Sequence, residues 1–206
     1  MITKINLRPK NKNIKALVLL SDCLASLGKK GELTYGYYNP CNIFNEIYFP
    51  EFCNEKVLHE KVQQSAGKAK VILIPAPIRS WRRYLMMLDP RTTPASVLKS
   101  LGKIIKKNKI NLIRCYGHRF NLVLGAKLKK ITGLPLVVSL HTNPDVDIFN
   151  RESNLFRKLL LFLFDRTETR CLQEADLVIA VYHSIVPYLR KRKIRRYQVI
   201  YNSVQV

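Results

Sequence analysis

Acidic residues are scarce in this chain: 14 Asp and Glu stand against 36 Lys and Arg, a net charge of +22 over 206 residues. A surface of that sign attracts phosphates, acidic lipids or nucleic acid, and it selects partners rather than folds. The five cysteines (Cys23, Cys41, Cys53, Cys115 and Cys171) form no C-x-x-C pair and are odd in number. That pattern argues against a zinc site and a disulfide framework, so no metal is expected and a reducing cytosol is the simplest home. Neither G-x-G-x-x-G nor G-x-x-x-x-G-K-[ST] occurs, which excludes the dinucleotide fingerprint and the P-loop. The cluster Leu159–Phe164 falls far short of the roughly 20 apolar residues that cross a bilayer. The basic start leads into Ile14–Leu20, which reads as a strand and lacks a small-residue cleavage site, so export is not expected. Internal repeats, low-complexity tracts and Ser/Gly linkers are missing too, which favours one domain over 1–206.

What the chain does have is 47% hydrophobic residues, enough for a full core. Strands are predicted at Ile14–Leu20, Glu46–Phe49, Val71–Ile74, Leu112–Cys115, Leu136–Leu140, Leu177–Val181 and Gln198–Tyr201. Several are separated by helix-length segments, the alternation that builds crossover units and a parallel sheet. Thr93 is placed to cap a helix with Pro94 at its first position. Val97, Leu98, Leu101, Ile104 and Ile105 mark its inner face, and Lys99, Lys103, Lys106 and Lys107 its wet side. Phe120–Ile131 is a second helix, with Leu124 and Leu128 four apart, stopping at a left-handed Gly133. Ser153–Glu174 is the longest. Its apolar middle, flanked by Arg157, Lys158, Arg166 and Arg170, fits packing between the sheet and another layer, or contact with an anionic membrane. Gly28–Glu55, rich in Tyr and Asn, is expected to be partly irregular, and Tyr188–Arg196 is a basic run. The fold class is α/β, a Rossmann-like parallel sheet of about seven strands with helices on both faces.

Leu136–Leu140 is apolar apart from Ser139 and ends abruptly in His141 and Thr142, with Pro144 enforcing a turn. Open α/β sheets bind ligands at the carboxyl ends of their strands, so His141 stands where such folds place chemistry. Capping the strand and bonding a neighbouring loop is its competing role. By the same rule Gly117 and His118, Thr142 and Asn143, and Tyr182 and Ser184 fall at one sheet edge. Asp145 and Asp147 could orient a base, although Pro-Asp pairs usually serve turns. His59 and His183 have no partner recognisable from sequence.

Four segments, in order, carry a resemblance. Asn111-Leu-Ile-Arg-Cys-Tyr-Gly-His118 resembles "pDvIhahg", and Gly133-Leu-Pro-Leu-Val-Val-Ser-Leu-His141-Thr resembles "giPlVvtlHg". Glu174-Ala-Asp-Leu-Val-Ile-Ala-Val181 resembles "aDlviavS", and Val199-Ile-Tyr-Asn202 resembles "vIyNGvd". These are motifs of the amino-terminal half of GT-B glycosyltransferases of the family 4-like group, the glycogen synthase and phosphatidylinositol mannosyltransferase type. The chain departs from the pattern in lacking the Gly-Gly loop after the first strand, in having Ser203 after Asn202, and in stopping at Val206.

The resemblance implies a hexosyl-type transferase. An acceptor hydroxyl would attack the anomeric carbon of a nucleotide sugar, with retention, and basic groups rather than a metal would stabilise the departing diphosphate. It implies His141 as the catalytic residue and Gly117, His118, Thr142, Asn143, Tyr182, Ser184 and Asn202 as substrate-binding residues. No cofactor is expected beyond the nucleotide-sugar substrate. The chain would be the acceptor-binding half, inactive without a carboxy-terminal donor-binding domain in cis or in trans, and would serve glycan or cell-envelope polysaccharide synthesis. If the acceptor is lipid-linked, Arg79, Arg82 and Arg83 around Trp81, Tyr84, Leu85 and Met86, with the Leu159–Phe164 stretch, could dock the domain on the cytoplasmic leaflet. The competing reading is a basic nucleic-acid- or membrane-binding module without catalysis. Nucleic acid is not the expected partner, because no recognition module or RNA-binding aromatic signature is present.

Overall fold

The structure, a computed structural model, describes residues 13–55, 57–143 and 155–201. Its centre is a seven-stranded sheet of β1 (Lys15–Leu20), β2 (Glu46–Glu51), β3 (Lys70–Pro75), β4 (Leu112–Tyr116), β5 (Leu136–Leu140), β6 (Leu177–Ala180) and β7 (Tyr197–Val199). Every neighbouring pair is parallel, in the order β3-β2-β1-β4-β5-β6-β7. The chain winds outward from β1 to β3, then returns to β4 on the other flank of β1. Right-handed crossovers therefore place the helices of the two halves on opposite faces.

On one face, α1 (Leu24–Lys29) and α2 (His59–Ser65) close a core of Val18, Leu27, Tyr38, Phe49 and Val62. On the other lie α3 (Ser80–Leu88), α4 (Ala95–Asn108), α5 (Phe120–Thr132), α6 (Leu155–Gln173) and α7 (Val186–Lys191), over Leu17, Leu19, Ile113 and Val138. The fold is the α/β class expected, and the helix predictions hold in register with small shifts at the ends. In α4, Leu101 and Ile105 are buried and Lys99, Lys103, Lys106 and Lys107 exposed. Pro94, not Thr93, occupies the N-cap of α4, because the Thr93 hydroxyl bonds the Pro90 carbonyl at 2.7 Å and closes the preceding turn instead. Gly133 ends α5 at φ +71, a left-handed C′ residue as its position predicts. Half-buried Leu160, Leu161, Leu163 and Phe164 and exposed Phe162 make the α6 belt a partly covered face.

Two side chains join these layers, Asn121 at the carboxyl ends of the strands and Asp176 at the amino ends. Buried Asn121, opening α5, donates its amide to the carbonyls of Leu19 at 3.2 Å and Tyr116 at 2.7 Å, tying β1 to β4 where they diverge. The Asp176 carboxylate accepts from the Leu136 backbone at 2.8 Å and from Lys129 at 2.7 Å, which fixes the start of β5 beside β6 and explains the Ala-Asp before that strand.

The cysteine expectation is also corrected. Cys23 and Cys53, thirty residues apart, are joined as a disulfide with Cα atoms 6.0 Å apart; Cys41, Cys115 and Cys171 are free. Spacing along the chain hid this pair, because the parallel pairing of β1 with β2 carries the residues following each strand to the same edge.

Candidate functional site

The carboxyl ends of β1, β4 and β5 surround a cavity of about 550 Å³. It lies at the point where the connections reverse direction between β1 and β4, the crevice in which open α/β sheets take ligands. β1 contributes Leu20, Ser21 and Asp22; β4 leads into Tyr116, Gly117, His118 and Arg119; β5 leads into His141 and Thr142. The loop after α1 closes the remaining side with Glu32, Thr34, Tyr37 and Tyr38.

His141 is half-buried and braced on two sides. Its ring stacks on Tyr116 at 5.6 Å with planes 17° apart, and Nδ1 lies 3.2 Å from the Tyr37 hydroxyl. Nε2 is buried and meets no hydrogen-bond partner among the described residues. Because the ring nitrogens take opposite roles in neutral imidazole, the Tyr37 bond decides whether Nε2 donates or accepts. Burial, reinforced by the Arg114 guanidinium, holds the imidazole below its ordinary pKa, so His141 is neutral at pH 7.

Arg114 belongs to the same brace. Arg114 and Tyr116, two apart on β4, share one face of the sheet. The guanidinium lies 4.8 Å over the Tyr116 ring and reaches Ser139 Oγ at 3.4 Å. The Tyr116 hydroxyl is buried without a described partner, and burial pushes its pKa up to about 12. Tyr37 and Tyr38 complete an aromatic wall, with Tyr38 edge-on to Tyr116 at 4.8 Å. Gly117 makes the turn possible: its φ is +91, and a Cβ there would stand 3.1 Å from Ser21 Oγ.

The sequence-predicted residues divide into three groups. His141, Thr142, Gly117 and His118 line the one cavity. Asn143 and Ser184 meet each other, amide to carbonyl at 3.0 Å, away from its lining, and Tyr182 is exposed outside it. Asn202, Asp145 and Asp147 lie outside the described residues. Asp22, Glu32, Tyr37 and Tyr116 were not anticipated. The strand-end rule could have found Asp22 and Tyr116, since they sit beside predicted strand ends. Nothing in the sequence pattern signals Tyr37, which a long loop delivers. Among the described residues no group of three His, Cys, Asp or Glu side chains could hold a metal ion, and no helix is long and apolar enough to cross a membrane.

The comparisons agree with this architecture. The sequence profile described as Glycosyltransferase Family 4 matches residues 58–206, and the chain belongs to that family. Sucrose-phosphate synthase from Thermosynechococcus elongatus superposes with a TM-score of 0.54 at 13% identity, over 92% of this chain and 90% of that one, a likeness of fold. Glycyrrhiza uralensis UGT73P12, complexed with glycyrrhetinic acid 3-O-monoglucuronide, gives a TM-score of 0.49 at 8% identity, over 91% of this chain and 48% of that one. No curated protein matches the sequence. The fold is thus that of an amino-terminal GT-B domain, and the chain is a glycosyltransferase-family domain.

Proposed function

We propose that this domain holds the acceptor of a hexosyl transfer in the cavity at the β1, β4 and β5 ends, with His141 meeting the reacting sugar or the acceptor hydroxyl. The acceptor oxygen forms a bond to the anomeric carbon while the bond from that carbon to the nucleoside diphosphate breaks. The diphosphate leaves with the electron pair, and the hydroxyl proton departs with it or to solvent. Basic side chains and backbone N–H groups suit the developing charge without a metal. A second α/β domain, in cis or in trans, supplies the nucleotide-sugar site, and the reaction serves glycan or cell-envelope polysaccharide synthesis.

The observation that carries this reading is the neutral, doubly braced His141 at the reversal point of the sheet. Support comes also from the lining: Asp22 and Glu32 offer carboxylates to sugar hydroxyls beside an aromatic wall. The test is a transfer assay with a panel of nucleotide hexoses and carbohydrate or lipid-linked acceptors, run on the longest natural form with and without a chelator. Product formation insensitive to chelator is expected, with none from residues 1–206 alone. Strict metal dependence, or full activity of 1–206 alone, would contradict the corresponding part.

A further inference from the structure

We propose that the Cys23–Cys53 bridge is a thiol–disulfide exchange site, opened by a dithiol reductant, whose state sets how firmly the far wall of the cavity is held. Exchange does not depend on the transfer reaction, so the two readings can fail separately.

The two sulfurs have unlike surroundings. Arg83, on α3, turns inward and places Nη2 3.2 Å from Cys53 Sγ. It is fixed there by donating to the carbonyls of Ile78 at 2.9 Å and of Phe52, and by lying 5.1 Å over the Phe120 ring. Among the described residues no hydrogen bond reaches Cys23 Sγ, and the residue before it is Asp22. A cation beside one sulfur of a disulfide lowers that thiol's pKa and makes it the better leaving group. Both cysteines are half-buried and open into a shallow recess shared with Pro50 and Phe52, which admits a small thiol. Of the carboxylates there, Asp22 adjoins Cys23, Glu55 is paired with Lys29 at 3.0 Å, and burial raises the pKa of Glu51. Cys115 and Cys171 are the contrast: both are buried, and burial pushes their thiols up.

This asymmetry gives the exchange a direction. A thiolate of the reductant attacks Cys23 Sγ and bonds to it as the bond between the two protein sulfurs breaks. The electron pair leaves on Cys53 Sγ, where Arg83 meets the charge. The reductant's second thiolate then attacks its own sulfur in the mixed disulfide, and the electron pair passes to Cys23. The protein gains two electrons and two protons as a pair of thiols, and the dithiol loses them as a cyclic disulfide.

Position links the bridge to the cavity. Cys23 follows the cavity residues Ser21 and Asp22 and is the N-cap of α1, whose six residues lead into the loop that delivers Glu32, Thr34, Tyr37 and Tyr38. The far part of that loop is tied down by two backbone bonds to the end of α2, Gly36 to Gln64 and Tyr38 to Ser65, each 2.9 Å. The start of α1 has the bridge, which fastens it to the residues after β2. Opening the bridge releases that end of the segment and loosens the wall from which Tyr37 reaches His141.

The test uses the full chain and needs no acceptor. Brief exposure of the oxidised protein to glutathione, then acid quench, alkylation and peptide mass spectrometry, should find the glutathione adduct on Cys23 and the alkyl group on Cys53. Arg83→Gln should slow reduction by dithiothreitol at least about fivefold, whereas Arg83→Lys, which keeps the charge, should stay within about threefold of wild type, with circular dichroism unchanged in both. If Arg83→Gln does not fold, the adduct site in the wild-type protein decides the same point. On reduction, backbone hydrogen–deuterium exchange of residues 24–38 should rise at least about fivefold, as it should in Cys53→Ser, while β4 and β5 stay within about twofold. Cys41→Ser should leave both regions at wild-type exchange. An adduct on Cys53, equal reduction rates in Arg83→Gln and wild type, a bridge that dithiothreitol does not open without denaturant, unchanged protection of residues 24–38, or loosening that extends to β4 and β5 would each overturn the proposal.

Discussion

The Tyr37 hydroxyl lies 3.2 Å from His141 Nδ1, joining the loop after α1 to the end of β5 across 104 residues of sequence. This contact makes the loop part of the site, because it sets which nitrogen of the imidazole carries the proton and so what Nε2 can do in the cavity. Tyr116 holds the ring plane and Tyr37 its rotation.

Tyr37→Phe keeps the ring and removes the hydroxyl. Turnover of the longest active form should fall roughly 10- to 100-fold, the range for losing a group that orients a reacting imidazole. Unfolding free energy should fall by about 1–3 kcal/mol, because Nδ1 is left part-buried without its partner. Steady-state kinetics and urea unfolding read the two effects separately.

The depressed His141 pKa makes a signed prediction about stability. In the unfolded chain the imidazole takes a proton near its ordinary value of about 6.5, whereas burial and Arg114 resist that proton in the fold. The contribution is therefore complete above about pH 6.5 and is lost as pH falls through the window between the ordinary and the lowered value. Urea unfolding between pH 5 and pH 8 should show this fall, and His141→Gln should remove that component of it.

Two glycines mark close approaches that a methyl group would spoil. At Gly125 an added Cβ would meet Cys115 Sγ at 2.5 Å and Leu136 Cδ1 at 3.1 Å, at the face of α5 that lies on β4 and β5. Gly125→Ala should cost about 1–3 kcal/mol by overpacking, measured by urea unfolding.

At Gly117 the obstacle is the backbone. With φ at +91 and Ser21 Oγ at 3.1 Å, Gly117→Ala should destabilise by about 1–3 kcal/mol. It should also raise KM for the acceptor, since the strained turn forms the cavity wall. Gly102→Ala on α4, where nothing lies within 4 Å of the added Cβ, is the control and should be neutral or stabilising.

The parallel sheet was legible in the sequence because its strands are nearly pure apolar runs and the segments between them have helical spacing. Leu136–Leu140 and Leu112–Cys115 needed no tertiary information, and the strand-end rule brought Gly117, His118, His141 and Thr142 to one edge. The same rule also named Tyr182 and Ser184, which follow β6, two strands away from the β1–β4 reversal, and these lie outside the cavity lining. The far wall of the cavity was not legible. Tyr37 and Glu32 lie in a stretch without periodicity, and only the folded path of the loop after α1 carries them to β4 and β5. The Cys23–Cys53 pair was missed for a related reason: the parallel pairing of β1 with β2, not chain spacing, brings the sulfurs together.

The most direct test of the account is the turnover of His141→Ala in the longest natural form, compared with wild type at saturating donor and acceptor and with far-ultraviolet circular dichroism as the check on folding. The account predicts a fall of roughly 10²- to 10⁴-fold with the fold retained. Wild-type turnover in the folded variant would contradict it and leave His141 as a brace between β5 and the Tyr37 loop.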